Sequence, residues 1–172
     1  MIFEVILMDI SVIKAEQTNA KNGLVIGNGK HIMKEFMNLR CPYCRQWFNE
    51  SKALLADADV TRVIKLFDKE KPSLQRGNVM HRFVDTTNES TILASMQKIF
   101  DTQEEWGDLE LDEVATFAKE KLGLSENNHS TYSQLIVDEA NAANIKFVPT
   151  IIVEEHIFDE SISKDELKEI LK

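Results

Sequence analysis

Both cysteines of this 172-residue chain lie in one tetrapeptide, Cys41-Pro42-Tyr43-Cys44. Two thiols at this spacing can open and close a disulfide without moving the rest of the chain, so the pair is suited to thiol–disulfide exchange. An apolar stretch, Ile32 to Leu39, precedes the motif, and Arg45 to Ala56 behind it has helical character. The first thiol is thereby expected where a strand turns into a helix, facing unpaired backbone N–H groups and the positive end of the helix dipole. That setting favours a thiolate, so Cys41 is expected to attack and Cys44, one helical turn inward, to resolve the mixed disulfide. Pro42 fits just inside a helix start, where its missing N–H costs nothing.

The same spacing is half of a zinc site, but a structural zinc needs two further ligands. No second cysteine pair and no closely spaced pair among His31, His81, His129 and His156 supplies them, so no metal is expected and no histidine is given a role. A pair of inert buried thiols is the other bland reading, and the strand-to-helix position speaks against it. Glu35 falls six residues before Cys41 on the apolar face of the strand. Buried there, it could pass protons to or from Cys44; alternatively it reaches solvent at the strand end or pairs with a lysine. Tyr43 is expected to face solvent beside the thiol and Trp47 to pack in the core. Pro149 opens a later apolar stretch as an edge or bulge proline, or as a cis-proline beside a reactive site.

The elements that must hold these residues follow from periodicity. Met33, Glu35, Met37 and Leu39 share one face of a strand over Ile32 to Leu39, and Ile32, Lys34, Phe36 and Asn38 the other. An amphipathic helix to about Ala58 and a second alternating strand, Val60 to Phe67, complete a βαβ unit with a parallel pair. The middle of the chain, Ser73 to Ala143, reads as several helices, one stopping at Gly123 and the last at Asn144. Phe147 to Val153 and His156 to Phe158 read as strands, and Ser163 to Glu166 as a capping box opening a terminal helix. Ahead of all this, Val5 to Leu7, Val12-Ile13 and Leu24 to Ile26 suggest one or two short edge strands.

At this length, with 43% apolar residues, the chain suffices for one domain or one domain carrying an insertion. A formal charge of −9 without any Lys/Arg run excludes a phosphate-backbone partner, and the acids between Asp101 and Glu105 read as solvated surface. No segment approaches membrane-spanning length, and Val5 to Met8, flanked by Glu4 and Asp9, does not read as a signal peptide. A cytoplasmic location is therefore expected.

Together, Glu35-Phe36 six residues before the cysteine motif, a helical block, and Val148-Pro149-Thr150 before the last strands resemble the DsbA-like branch of the thioredoxin superfamily from about Gly23 onward. The resemblance implies an α/β thioredoxin fold, with βαβ and ββα halves and a mixed sheet. Residues 1–72 and 144–172 would form the discontinuous thioredoxin-like domain and residues 73–143 an inserted helical domain. It also implies that Cys41 is the nucleophile, that Glu35 is buried, and that a cis Val148–Pro149 bond flanks the cysteines. Candidate catalytic residues are thus Cys41, Cys44 and Glu35, and candidate substrate-binding residues Pro42, Tyr43, Val148 and Pro149. Pro42-Tyr43 is the pair typical of glutaredoxins, but their Gly-Gly glutathione-binding turn is missing from Thr150 to Glu160. No cofactor beyond the Cys41–Cys44 disulfide is expected. The expected function is a cytosolic dithiol–disulfide oxidoreductase acting on protein or small-molecule disulfides, with a cellular reductant or oxidant as partner. A binding or adaptor protein on the same scaffold is the competing reading, because Asn144 and Phe147 stand where such relatives often have glycine. A glutathione-dependent isomerase is a third, against which Cys44 argues.

Overall fold

The computed structural model describes residues 9–128 and 130–172. The apolar piece Val5 to Leu7 lies outside them. Val12 belongs to a single 3₁₀ turn, Ile10–Val12, capped by the Asp9 side chain, so the strand expected at Val12-Ile13 is replaced by a turn. The strands are β1 (Leu24–Ile26), β2 (His31–Met37), β3 (Val60–Leu66), β4 (Thr150–Val153) and β5 (His156–Phe158). They form one five-stranded sheet in the order β1-β3-β2-β4-β5. Only β2 and β3 are parallel; β1–β3, β2–β4 and β4–β5 run antiparallel. This is the mixed sheet of a thioredoxin fold.

Alternation along β2 decides what lies on each face. Met33, Glu35 and Met37 point to the side covered by α1 (Pro42–Leu54) and the C-terminal α7 (Lys164–Ile170), joining Trp47, Phe48 and Leu167 in the larger core. Lys34 and Phe36 point to the other side, where Phe36 packs with Phe67, Ile152 and the α6 residues Ile136 and Ala140. A one-residue slip of register would exchange the two sets, so the burial of both faces fixes the register.

Between β3 and β4 run α2 (Pro72–His81), α3 (Glu89–Asp101), α4 (Gln103–Trp106), α5 (Leu111–Glu120) and α6 (Ser130–Ala142). Val79, Met80, Ile92, Met96, Phe100, Trp106 and Val114 carry α2–α5 into the larger core. Pro72 starts α2 at its first turn, one residue ahead of the helical block expected from Ser73. Asn88 and Thr91 cap α3 reciprocally, Thr91 N–H donating to Asn88 and Asn88 N–H to Thr91. Asn144 takes φ 58°, the left-handed stop after α6, and Gly123 takes φ 66° after α5. The strand expected from Phe147 begins only at Thr150, because Pro149 cannot donate to a ladder and Val148–Pro149 is a cis bond.

Two buried ion pairs tie elements together. Arg62 of β3 grips Glu35 of β2 at 2.8 Å and 2.7 Å. Lys65 of β3 meets Glu139 of α6 at 2.9 Å and also donates to the Asn22 carbonyl, while Glu139 accepts the Asn19 N–H at 3.1 Å.

Candidate functional site

The cysteine motif hangs on the three residues that leave β2. Beyond Met37 the chain turns through Asn38, Leu39 and Arg40, and nearly every polar group of that turn is held. The Asn38 side chain donates to the Phe67 and Leu74 carbonyls at 3.1 Å and 3.3 Å, and its Oδ1 accepts the Arg40 N–H at 2.9 Å. Leu39 N–H donates to His81 Nε2 at 3.1 Å, so the His81 proton sits on Nδ1, which donates to Asp68 at 2.6 Å. From α4, the buried Gln103 amide donates to the Leu39 carbonyl at 2.8 Å and the Cys41 carbonyl at 3.2 Å. Arg40 Nε donates to the Gly107 carbonyl at 2.8 Å. A Cβ on Gly77 of α2 would lie 1.8 Å from Asn38 Oδ1, so this close approach of helix to loop requires glycine.

Thus positioned, Cys41 is the N-cap residue of α1, with Pro42 at the first helical position. Its thiol lies 3.5 Å from the Val148 carbonyl oxygen, to which it can donate. Cys44 faces inward, fully buried, and its sulfur accepts the Asn38 N–H at 3.4 Å. Both cysteines are free thiols. The two differ sharply in acidity. A hydrogen bond from Cys44, with help from the backbone N–H groups of Cys44 and Tyr43, brings Cys41 down to about 7 against the opposing effects of burial and Glu160. Burial, reinforced by the neighbouring Cys41, pushes Cys44 well above the usual thiol range. One thiolate and one thiol at neutral pH is the state that starts an exchange and keeps its resolving partner in reserve.

Glu35 is fully buried, and it is arginine, not lysine, that it meets. Besides Arg62, its carboxylate accepts the Trp47 indole N–H at 2.6 Å, so it bolts α1 to β2 and β3. Neither of its oxygens is hydrogen-bonded to a thiol among the described residues. The acid whose charge is felt by both cysteines is Glu160, in the turn after β5; its carboxyl is raised, chiefly by burial. Tyr43 is 59% exposed and Phe147 48%, on either side of Cys41, while Val148 is half-buried and Pro149 buried beneath it. Asn38, His81, Gln103 and Glu160 are site residues to which the sequence assigns no role, because each acts through a partner brought close only by the fold.

The thioredoxin family model matches residues 19–172. This chain belongs to the thioredoxin family. A conserved protein of unknown function from Enterococcus faecalis V583 is 53% identical, covering 95% of this chain and 97% of that one with a TM-score of 0.92. ScsC from Proteus mirabilis in a transitional conformation is 16% identical, covering 90% and 73%, at TM-score 0.68. Oxidised BdbD from Bacillus subtilis is 15% identical, covering 89% and 92%, at TM-score 0.63. At those low identities the likeness is one of fold. Among curated proteins, none matches the chain. No group of three or more His, Cys, Asp or Glu among the described residues is arranged to hold a metal ion, and no described helix is long and apolar enough to cross a membrane.

The Cys41 thiolate can be titrated by its reaction with iodoacetamide. Alkylation of reduced protein is expected to rise with a midpoint near pH 7, with Cys44 unmodified at that pH. Because the Glu160 charge raises Cys41, Glu160→Gln is expected to move the midpoint to lower pH. Peptide mass mapping of the alkylated protein across a pH series checks both.

Proposed function

We propose that this thioredoxin-family protein is a dithiol–disulfide oxidoreductase whose working pair is Cys41 and Cys44. The single observation that carries the reading is the placement of the pair, with Cys41 at the N-cap of α1, its sulfur 3.5 Å from the Val148 carbonyl, and Cys44 fully buried behind it, an arrangement that lowers the Cys41 pKa and raises that of Cys44. In the reducing direction, the Cys41 thiolate attacks one sulfur of a substrate disulfide. The substrate S–S bond breaks, one substrate sulfur leaves as thiolate and takes a proton from solvent, and Cys41 is joined to the other sulfur. Cys44 then loses its proton and attacks Cys41, forming the Cys41–Cys44 disulfide and releasing the second substrate thiolate. The substrate gains two electrons and the cysteine pair loses two; a cellular dithiol restores the pair, and an oxidant would drive the reverse cycle.

Supporting groups have definite tasks in this scheme. Glu35 and Arg62 fix the strand and helix that present the thiols, and Pro149 sets the Val148 carbonyl beside Cys41. Tyr43, Phe147, Pro42 and Val148 form the surface that a substrate chain meets, and their apolar bulk suits an extended peptide rather than a small hydrophilic thiol. The helices of residues 73–143, an insertion between the thioredoxin halves, contribute Gln103 and His81 to the loop before Cys41. We place the activity in the cytosol, since both cysteines are committed to the redox pair and none remains for a structural disulfide.

The test is a trap. Cys44→Ser cannot resolve, so incubation with a disulfide-bonded protein such as insulin should accumulate a stoichiometric adduct on Cys41 that thiol reductants remove. Absence of the adduct, with Cys41 still alkylatable, sinks the reading.

A further inference from the structure

At the end of α1 remote from Cys41 lies a cavity of about 520 Å³, bounded by the last turns of α1, the end of β1, the start of β3 and the side of α3. Small residues border it: α1 stops at Leu54 and the chain crosses to β3 through Ala56 and Ala58, Gly27 follows β1, and α3 presents Ala94. Small residues on four sides leave the space unfilled. What remains of the wall is apolar, from Phe48, Leu55, Val60 and Leu93. The volume lies within the roughly 300–1,000 Å³ of small-molecule sites.

The charge on this wall differs from the rest of the molecule. In a chain of formal charge −9, the cavity is lined by two cations, Lys52 and Arg62, and by no acid. Arg62, buried at the β3 side, is already matched by Glu35. Lys52 is not matched by a carboxylate among the described residues; its ammonium donates to the Gln97 side chain and lies 5.1 Å from the centre of the Phe48 ring. The combination is an apolar interior with an unbalanced ammonium at its exposed rim.

We infer that this cavity is a second binding site, separate from the cysteine pair, for an amphipathic monoanion: an aliphatic body against Phe48, Leu55 and Leu93 and a carboxylate on Lys52. An anionic head replaces Gln97 as the acceptor of the Lys52 ammonium, and the tail removes apolar surface from water on both ligand and protein. A neutral molecule of equal length gains only the second of these, and a dianion or a sugar phosphate gains only the first.

Decanoate below its micelle concentration is the probe, with decanol as the neutral comparison, followed by isothermal titration calorimetry and by the methyl NMR shifts of Leu55, Val60 and Leu93. Decanoate is expected to bind one-to-one and to shift those methyls. Lys52→Gln is expected to weaken it by about fivefold, the upper range for an exposed ion pair. Ala94→Trp, which fills the cavity from its exposed side, is expected to abolish binding while Cys41 alkylation is unchanged. The methyl shifts of the unaltered protein locate the ligand even if the tryptophan variant does not fold. No binding, shifts confined to other methyls, or decanol binding as tightly as decanoate would overturn the inference.

Discussion

Cys41→Ser is expected to abolish reduction of insulin disulfides, a loss of about a thousandfold or more, as when the nucleophile of a covalent mechanism is removed. The hydroxyl has nearly the shape of the thiol and can keep its hydrogen bonds to the Val148 carbonyl and from Cys44, so the fold and thermal midpoint should change little. Cys44→Ser differs in kind. It keeps the nucleophile and puts a hydroxyl donor in place of the Cys44 thiol, whereas Cys44→Ala removes the hydrogen bond that is the main cause of the low Cys41 pKa, so in the alanine variant Cys41 should be alkylated with a midpoint at higher pH than in the unaltered protein. Turbidity from insulin reduction and circular dichroism of the same samples check both. Comparable turnover by Cys41→Ser and the unaltered protein contradicts the assignment of Cys41.

The largest stability effect is expected at Glu139. Its carboxylate is almost fully buried and pairs with Lys65, whose side chain has no exposure at all. Replacing one member of a buried pair strands the other, a cost of about 3–5 kcal/mol. At roughly 2–4 °C per kcal/mol for a domain of this size, Glu139→Leu should melt about 10 °C lower. The loss reaches the site because α6, anchored through Glu139, leads directly into the Val148–Pro149 segment. The pH dependence has a definite sign. Burial lowers the Lys65 pKa and Glu139 opposes that, so without Glu139 the folded-state value falls further below the unfolded one. Between those two values the unfolded chain binds more protons, so stability rises with pH. The deficit of Glu139→Leu is therefore greatest near neutrality and narrows as pH climbs toward about 10.4, the unfolded lysine value. A double variant, Glu139→Leu with Lys65→Met, should recover much of the loss, since an apolar pair of similar volume leaves no stranded charge. Denaturant melts at pH 7 and pH 9.5 decide it; an unchanged midpoint in the single variant contradicts the account.

What the sequence discloses about this site is what local chemistry encodes. Two thiols two residues apart, a proline where a helix can begin, and alternation from Ile32 to Leu39 and from Val60 to Phe67 are each legible within a dozen residues, and together they determine the βαβ unit and the place of Cys41 in it. The partner of Glu35 is not of this kind. Arg62 lies 27 residues away, brought opposite by the parallel register of β2 and β3, and nothing near Glu35 distinguishes it from a lysine elsewhere. Gln103 hides among acids that do face solvent, and only the turn of α4 directs its amide to the Leu39 and Cys41 carbonyls. The start of α2 at Pro72 is of the same kind: the fixed φ of proline suits the end of a turn as well as the first residue of a helix, and α2 packs against the loop at Asn38.

We infer the direction of the proposed reaction from the same thiol. A dithiol whose thiolate is strongly stabilised is a strong oxidant, as with a pKa near 3.5 and a potential of about −120 mV; one with a pKa near 7 accompanies a potential of about −270 mV. With Cys41 at about 7, this pair belongs near the reducing end. The decisive measurement is the redox equilibrium of the purified protein in buffers of graded thiol–disulfide potential, reading the Cys41–Cys44 disulfide by mass after quenching with an alkylating agent. A single reversible two-electron transition, closer to −270 mV than to −120 mV, is the predicted result. Two cysteines that stay reduced across the whole range, or a disulfide that persists well below −300 mV, would show that the pair does not work as an exchange centre.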